Sequence, residues 1–271
     1  MAIQYLAKEL LHFFPKTTVS MIVSTGSGIP GIGIPKDSGY SIGKEGEQHD
    51  IRLGDVVISS PVGLYGGVAN VDNDIQLPNR IKVLPRHVNS MSQDARGTVL
   101  DMKLHRDQET VRVAKYLVEL QQKDAHMKRT CAFPNTAKDL YFEPDYKHQG
   151  AYGAGCQRCD ASQAVKRPAR KTTNPEIFFG TIASRKNLDI DVETRKGIKH
   201  DTGALAVQAG AMCLMYSLAP LVVTGIADYA DSHRNEHWQK YAAATAAACA
   251  KALVGNVPIY DDEVCARAAL N

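Results

Sequence analysis

The clearest hydrophobic pattern in the chain lies near its C-terminal end. Residues 221–227 form an apolar run broken only by Thr224 and Gly225, which is typical of a strand buried on both faces of a sheet. Asp228 follows, then a polar turn, and then residues 241–253, an alanine-rich segment of strong helix formers. The pattern predicts a strand, a turn and a helix. Because ligands of open α/β sheets bind beyond the carboxyl ends of the strands, Asp228 is a candidate proton donor.

Other segments carry the spacing of helices or strands. We predict helices over residues 3–14, 109–123 and 204–218, and strands over residues 18–24, 55–59 and 177–184. Residues 25–50 are rich in glycine and proline and are predicted to be a loop, whereas residues 70–97 show neither period and are predicted to be irregular. Strands separated by helices predict an α/β fold with three α/β/α layers around a mainly parallel mixed sheet, formed by residues 1–271 as a single domain.

Residues 124–174 break this alternation and are predicted to be an insertion. The segment is polar, contains three of the six cysteines and ends in the basic run 166–171. A short basic run in a loop is usually solvated, and no aromatic residue is interleaved with this one to stack on bases. We therefore expect no nucleic-acid partner.

Cys156 and Cys159 have the spacing of metal ligands, and His148 precedes them in the same segment. A structural zinc site normally needs four ligands, and no second pair is visible. We expect unligated thiols, with a zinc clip and a redox pair as the alternatives.

The turn after Asp228 holds Asp231 and His233, a carboxylate and an imidazole that could suggest a metal site. Polar residues at this spacing in a turn more often cap the following helix. We therefore predict no metal and no cofactor.

Composition and charge narrow the class of protein only slightly. The chain has 271 residues, a formal net charge of +3 and a pI of about 8.4, which does not indicate binding dominated by a phosphate backbone. No apolar run approaches the roughly 18 residues needed to cross a bilayer, and residues 1–14 lack the pattern of a secretory signal. We predict a cytoplasmic protein with reduced cysteines and no membrane partner.

Residues 26–31, Gly-Ser-Gly-Ile-Pro-Gly, match the dinucleotide-binding pattern G-x-G-x-x-G and follow a predicted strand. Pro30 and Pro35 leave no helix whose N-terminus could hold a pyrophosphate. We predict a turn at the end of the strand instead, whose backbone N–H groups can hold a smaller anion.

Six blocks of sequence carry a family resemblance: residues 14–15, 22–30, 49–59, 61–68, 225–233 and 238–251. The block 225–233 reads Gly-Ile-Ala-Asp-Tyr-Ala-Asp-Ser-His and is highly specific. The insertion adds Tyr146, His148, Cys156, Cys159, Asp160, Arg167 and Pro168 in a matching order. Over nearly its whole length, the chain resembles the nucleoside phosphorylase superfamily, in the branch of fungal proteins where this domain often precedes NACHT, ankyrin or tetratricopeptide modules.

The resemblance implies a three-layer α/β/α fold and cleavage of the bond between a purine or other base and C1′ of ribose, with phosphate or water as the nucleophile. Negative charge builds on the departing base, so an acid must protonate it, and Asp228 matches the family's carboxylate in that role. The family's glycine-rich strand end corresponds here to Ser24, Thr25, Gly26, Ser27 and Gly28, which implies contact with phosphate or a ribose oxygen. A nucleoside is the expected small-molecule partner, and phosphate the candidate co-substrate.

The sugar site departs from the family. Counting back without gaps from Asp228 places Gln208, Ala209 and Gly210 at positions that hold Glu-Met-Glu in the family, so both carboxylates are absent. The lost hydrogen bonds to ribose are worth about 2–4 kcal/mol of transition-state stabilisation, or about thirtyfold to a thousandfold in rate. We expect weakened or lost nucleoside cleavage, with a non-catalytic nucleoside-binding or protein-interaction module in signalling as the alternative.

The chain also begins later than the family does. Relatives carry an N-terminal strand before the helix that opens this sequence, so we expect an unpaired apolar edge near the centre of the sheet. An uncovered edge favours a homo-oligomer or misfolding.

Overall fold

A computed structural model describes residues 9, 12–14, 17–31, 49–62, 65–77, 80–84, 90–134, 139–143, 146–150, 156–186, 190–215, 217–234 and 236–258. The strands are β1 (Met21–Gly28), β2 (Val56–Ser59), β3 (Val68–Asn70), β4 (Asp74–Leu77), β5 (Arg80–Val83), β6 (Ile177–Gly180), β7 (Ile182–Ser184), β8 (Ala206–Gln208) and β9 (Leu221–Asp228). The helices are α1 (Gln93–Leu104), α2 (Arg106–Gln122), α3 (Ala125–Thr130), α4 (Val192–Thr202), α5 (Met212–Met215) and α6 (Glu236–Val254).

Seven strands form the main sheet in the order β3-β7-β8-β1-β9-β2-β6. The pairs β1–β9, β2–β6, β3–β7 and β7–β8 are parallel, whereas β1–β8 and β2–β9 are antiparallel. The predicted mainly parallel mixed sheet is therefore confirmed.

The segment predicted as one strand over residues 177–184 is divided at Thr181 into β6 and β7. β6 pairs with β2 at one end of the strand order, and β7 pairs with β3 and β8 at the other. The Thr181 carbonyl accepts a hydrogen bond from Leu205 N–H (2.9 Å) just before β8. Because β6 and β7 are nearly continuous, they connect the two ends of the strand order, and the sheet curls instead of lying flat.

Helices flank the sheet on both sides. α6 packs on β9 and contributes Trp238 and Tyr241 to the larger of two apolar clusters. α4 contributes Ile198 to the smaller cluster, with Val207 of β8 and Ala183 of β7. Two clusters built from opposite helices confirm the expected layers of helix, sheet and helix.

The predicted helix over residues 204–218 is wrong. Residues 206–208 are strand β8, which lies between β1 and β7, and among the described residues from 209 to 218 only the four of α5 are helical. An apolar segment buried on all sides has the same pattern whether it is a central strand or a buried helix. Gly210, with a φ of +91°, separates the strand from the helix.

The irregular assignment of residues 70–97 is also wrong, because β4 and β5 form an antiparallel hairpin and α1 begins at Gln93. Residues 25–28, predicted as loop, extend β1 to Gly28. The predictions over residues 55–59, 109–123, 221–227 and 241–253 coincide with β2, α2, β9 and α6. Of the helix predicted over residues 3–14, only residues 9 and 12–14 lie in the described part.

The two edges of β1 differ. β9 pairs with it from Met21 to Ser27, whereas β8 reaches only Ser27 and Gly28. Among the described residues, no strand pairs with the β8-facing edge before Ser27, and Val23 is 44% exposed there. No described helix has the length and apolar character of a membrane span.

Candidate functional site

Asp228 is the last residue of β9, at the carboxyl end of the strand, as predicted. Its Oδ1 accepts a hydrogen bond from Ala230 N–H (3.0 Å), and Ala230 has a positive φ of 53°. The carboxylate therefore stabilises the turn that ends the strand. Asp228 is only half-buried, and its Oδ2 accepts no hydrogen bond from the described residues.

Ser24, Thr25, Gly26, Ser27 and Gly28 lie within β1, in register with β9, and Ser27 is paired with Asp228. They are not the loop that the glycine-rich pattern predicted. A Cβ on Gly26 would lie 2.5 Å from Val207 O and 2.7 Å from Thr224 Cγ2. Close packing of β8 and β9 on β1 thus explains the glycine at this position, and no anion is required to account for it.

Polar side chains from three strands meet beside Gly26. Ser24 Oγ donates a hydrogen bond to Gln208 Oε1 (2.9 Å), and the Gln208 side chain also packs against Gly26. The buried side-chain atoms on these three strands that have no hydrogen-bond partner among the described residues are Ser27 Oγ, Thr224 Oγ1 and Gln208 Nε2. Buried polar atoms are rarely left unpaired in folded proteins, so these three atoms are candidate contacts for water or a polar ligand.

The three residues counted onto the family's Glu-Met-Glu have different environments. Gln208 is fully buried in β8, whereas Ala209 and Gly210 are exposed. A Cβ on Gly210 would meet no heavy atom within 4 Å. The surrounding space is therefore open, but glycine does not supply the carboxylate that the family has at this position. Among the described residues, Gln208 contacts Ser24, whereas neither Ala209 nor Gly210 contacts Asp228.

Arg167 lies in the segment before β6 and contacts Tyr229, the residue that follows Asp228 at the end of β9. Its guanidinium donates hydrogen bonds to Tyr229 Oη (3.0 Å) and to the Asp139 carbonyl (2.9 Å), and it pairs with the Asp139 carboxylate (3.0 Å). Tyr229 also donates a hydrogen bond to Asp139 Oδ1. Burial and the Asp139 charge hold the pKa of Tyr229 well above its usual value, so the phenol stays protonated. The sequence placed Arg167 in the basic run and among the residues of the resemblance, but gave no sign of its contacts with Tyr229 and Asp139.

The expected solvation of the basic run 166–171 is wrong for two of its residues. Arg167 is 5% exposed, and Arg170 donates hydrogen bonds to both oxygens of the buried Asp55, at 2.6 Å and 2.7 Å. Lys166 and Lys171 are exposed. The planar guanidinium can satisfy a buried carboxylate with two parallel bonds, which explains why the arginines and not the lysines point inward.

Asp231 does not join Asp228 in a metal site. It accepts a hydrogen bond from His233 N–H (2.8 Å) and pairs with Arg195 (3.4 Å). His233 belongs instead to a group of candidate ligands with His148 and Cys159, whose ligand atoms all lie within 4.8 Å of one another.

Known proteins resemble this chain in sequence and in fold. No protein-family model matches the chain. The chain is 27% identical over 247 residues to a nucleotide-binding leucine-rich repeat (NLR)-like protein of the fungus Hyaloscypha variabilis. The match covers 89% of this chain and 22% of that protein, so the chain spans about a fifth of its relative's length.

Among solved structures, the chain is similar to several 5′-methylthioadenosine/S-adenosylhomocysteine nucleosidases, including one from Helicobacter pylori and one from Neisseria meningitidis. The one from Helicobacter pylori, bound to butyl-thio-DADMe-immucillin-A, is 11% identical, with a TM-score of 0.45 over 93% of this chain and 74% of that one. The one from Neisseria meningitidis, bound to methylthio-immucillin-A, is 12% identical, with a TM-score of 0.43 over 94% and 74%. Futalosine hydrolase of H. pylori is 12% identical, with a TM-score of 0.41 over 93% and 73%. Such low identities give no residue-by-residue correspondence.

Proposed function

We propose that the chain binds a nucleoside at the carboxyl ends of β1 and β9, beside β8, and cleaves its N-glycosidic bond slowly, with water or phosphate as the nucleophile. The observation that carries the proposal is the position of Asp228. Asp228 is half-buried and is paired in register with Ser27, and the unpaired atoms Ser27 Oγ, Thr224 Oγ1 and Gln208 Nε2 are the proposed polar contacts for the ligand.

The two oxygens of the Asp228 carboxyl group have different roles in the proposed cleavage. As the glycosidic bond breaks, negative charge develops on the base, and a positioned acid neutralises it by donating a proton. Oδ1 is held by Ala230 N–H, which fixes the orientation of the carboxyl group. Oδ2 has no bond from the described residues and is the oxygen that would carry the proton to a purine nitrogen.

The neutral side chains beside Gly26 would bind the sugar or the nucleophile. A hydroxyl both donates and accepts a hydrogen bond, and the Gln208 amide nitrogen donates, so these atoms suit ribose hydroxyls or a phosphate oxygen. Neutral bonds stabilise a transition state less than charge-assisted ones. With no carboxylate on Gly210, turnover is expected to be about thirtyfold to a thousandfold below that of a site with one.

A second candidate is a non-catalytic nucleoside-binding module in signalling. Two observations favour it: Asp228 already serves the turn at Ala230, and position 210 offers no side chain to the sugar. In addition, the chain corresponds to 22% of an NLR-like protein, where a binding module would have further domains to act on.

The two candidates are separated by measuring cleavage and binding in parallel. Purified protein is incubated with adenosine, inosine, guanosine and 5′-methylthioadenosine, with and without phosphate, and the free base is followed by liquid chromatography. We expect slow release that Asp228→Asn abolishes and Asp107→Asn, an exposed carboxylate on α2, does not. Calorimetric binding without base release supports the binding module, and turnover that survives Asp228→Asn contradicts the role given to Asp228.

A further inference from the structure

Three side chains with metal-ligating atoms, His148, Cys159 and His233, converge where the segment before β6 meets the loop after β9, and Cys156 lies one turn before Cys159. We propose that Cys156, Cys159, His148 and His233, here called the thiol–imidazole cluster, bind one structural zinc ion. The sequence offered only three of these ligands in one segment, and the fourth, His233, comes from the turn that follows Asp228.

The distances suit tetrahedral zinc. His148 Nδ1 lies 3.3 Å from Cys159 Sγ, and the ligand atoms of His148, Cys159 and His233 are all within 4.8 Å of one another. Zinc bonds of about 2.3 Å to sulfur and about 2.0 Å to nitrogen separate two tetrahedral ligand atoms by about 3.5 Å. Cys156 lies one turn before Cys159, closed by a hydrogen bond from Cys159 N–H to Cys156 O (3.3 Å), and its thiol interacts with that of Cys159. We infer that a side-chain rotation of Cys156 would bring its Sγ to an ion held by the other three ligands.

His233 supplies an independent observation that points to a ligand. Its side chain is only 2% exposed, yet neither Nδ1 nor Nε2 has a hydrogen-bond partner among the described residues. Leaving a buried polar group unpaired costs about 1–3 kcal/mol. Phe142 stacks on the imidazole with a centroid distance of 4.2 Å, and Tyr146 stacks at 5.6 Å, so the ring is held in place facing the cluster. A bound metal would satisfy the nitrogen that the protein does not.

The surroundings resemble the outer contacts that orient metal ligands. Gln149 N–H donates a hydrogen bond to Cys159 Sγ (3.4 Å), which orients the sulfur. Asp231 Oδ1 lies 3.6 Å from His233 Nδ1, so the carboxylate is placed to hold that nitrogen and leave Nε2 for the metal. Arg195 in turn pairs with Asp231 (3.4 Å).

The donor set selects the metal and its role. Two thiolates and two imidazoles in tetrahedral geometry favour zinc over magnesium or calcium, which prefer oxygen ligands. Four protein ligands leave no open position, so the site is structural and not catalytic. The ion would tie the segment around His148 to the loop around His233. The inference does not depend on nucleoside cleavage.

The test begins with the metal content of the purified full chain, grown with added zinc and purified without chelators. We expect about one zinc ion per chain by mass spectrometry of the metal, lost in Cys159→Ser and in His233→Asn. Cys213→Ser, which removes an exposed cysteine of α5, is the matched control and should keep its zinc. Zinc retained in both ligand variants would overturn the proposal.

Two further measurements use the unaltered sequence or a mild variant, in case the ligand variants do not fold. Wild-type protein loaded with Co²⁺ should show the visible and thiolate charge-transfer bands of tetrahedral cobalt with sulfur ligands. Asp231→Asn should lower the zinc affinity about 10- to 100-fold in competition with a chelator, as expected for a contact that orients a ligand. Wild-type protein that binds neither metal, or that carries a Cys156–Cys159 disulfide when freshly purified, would contradict the zinc site.

Discussion

At the scale of single residues, Gly225 determines how closely α6 can approach β9. A Cβ at this position would lie 2.0 Å from Ala242 O and 2.7 Å from Ala242 C, both backbone atoms of α6. Backbone atoms cannot move aside as the end of a flexible side chain can. The glycine therefore permits the contact between the strand that ends in Asp228 and the helix that follows it.

We expect Gly225→Ala to lower the free energy of unfolding by about 3 kcal/mol, the upper end of the range for overpacked cores, because helix and strand must separate. Gly97→Ala is the control: Gly97 is exposed within α1 and a Cβ there meets no atom within 4 Å. It should raise the free energy of unfolding by about 0.5–1 kcal/mol, because alanine is the better helix former. Urea denaturation of both variants measures the difference, and a neutral Gly225→Ala would contradict the packing of α6.

At the scale of elements, the segment before β6 is attached to the sheet by its two arginines. Arg170 neutralises Asp55, which lies at the start of β2 and is 1% exposed. Asp55 also accepts hydrogen bonds from the backbone N–H groups of Arg52 (2.7 Å) and Glu176 (2.9 Å). One carboxylate thus joins β2 to the start of β6.

Arg170→Met should lower the free energy of unfolding by about 3 kcal/mol, since it leaves the Asp55 charge buried without its cation. Lys171→Met removes one positive charge from the same run at an exposed position and should change stability by less than about 0.5 kcal/mol. Thermal and urea unfolding of the two variants tests the contrast. Equal effects would mean that Arg170 acts only through net charge.

Helices and strands whose hydrophobic pattern fits only one type of structure were predictable from the sequence. Those whose pattern fits both a helix and a strand were not. β9 and α6 were found because a β-branched run and an alanine-rich run each favour one structure. β8 was assigned to a helix, because residues 204–207 are all apolar. The hairpin of β4 and β5 was missed although Asp74–Leu77 and Arg80–Val83 both alternate polar and apolar residues, because an alternation over only four residues is a weak signal.

At the scale of the whole molecule, sites assembled from distant parts of the chain were only partly predictable. Asp228 could be placed at a strand end because a strand end is local in sequence. The approach of Gln208 to Ser24, and of His233 to His148 and Cys159, depends on strand order and on how the segment before β6 packs. No pattern in the sequence encodes that packing, so a fourth metal ligand outside the cysteine segment could not be identified.

The stability of the whole fold should depend on pH through Lys199, a partly buried lysine in the last turn of α4. Burial lowers the pKa of its ammonium from 10.5 to about 8, and its Nζ donates a hydrogen bond to Ala204 O (3.1 Å). Below pH 8 both the folded and unfolded states are protonated, and the full cost of the buried charge is present. Between pH 8 and 10.5 the folded state has lost the proton that the unfolded state still binds, so this contribution to stability rises with pH.

Lys199→Met removes that charge and should therefore stabilise the protein at pH 7, with an advantage over wild type that shrinks by about 2–3 kcal/mol as the pH is raised to 10.5. Lys196→Met, on the exposed side of α4 beside Glu193, should show no such trend. Urea denaturation of wild type and both variants across this pH range provides the measurement. A Lys199→Met advantage that stays constant with pH would mean that Lys199 is charged in the folded protein throughout, and that the gain comes from apolar packing alone.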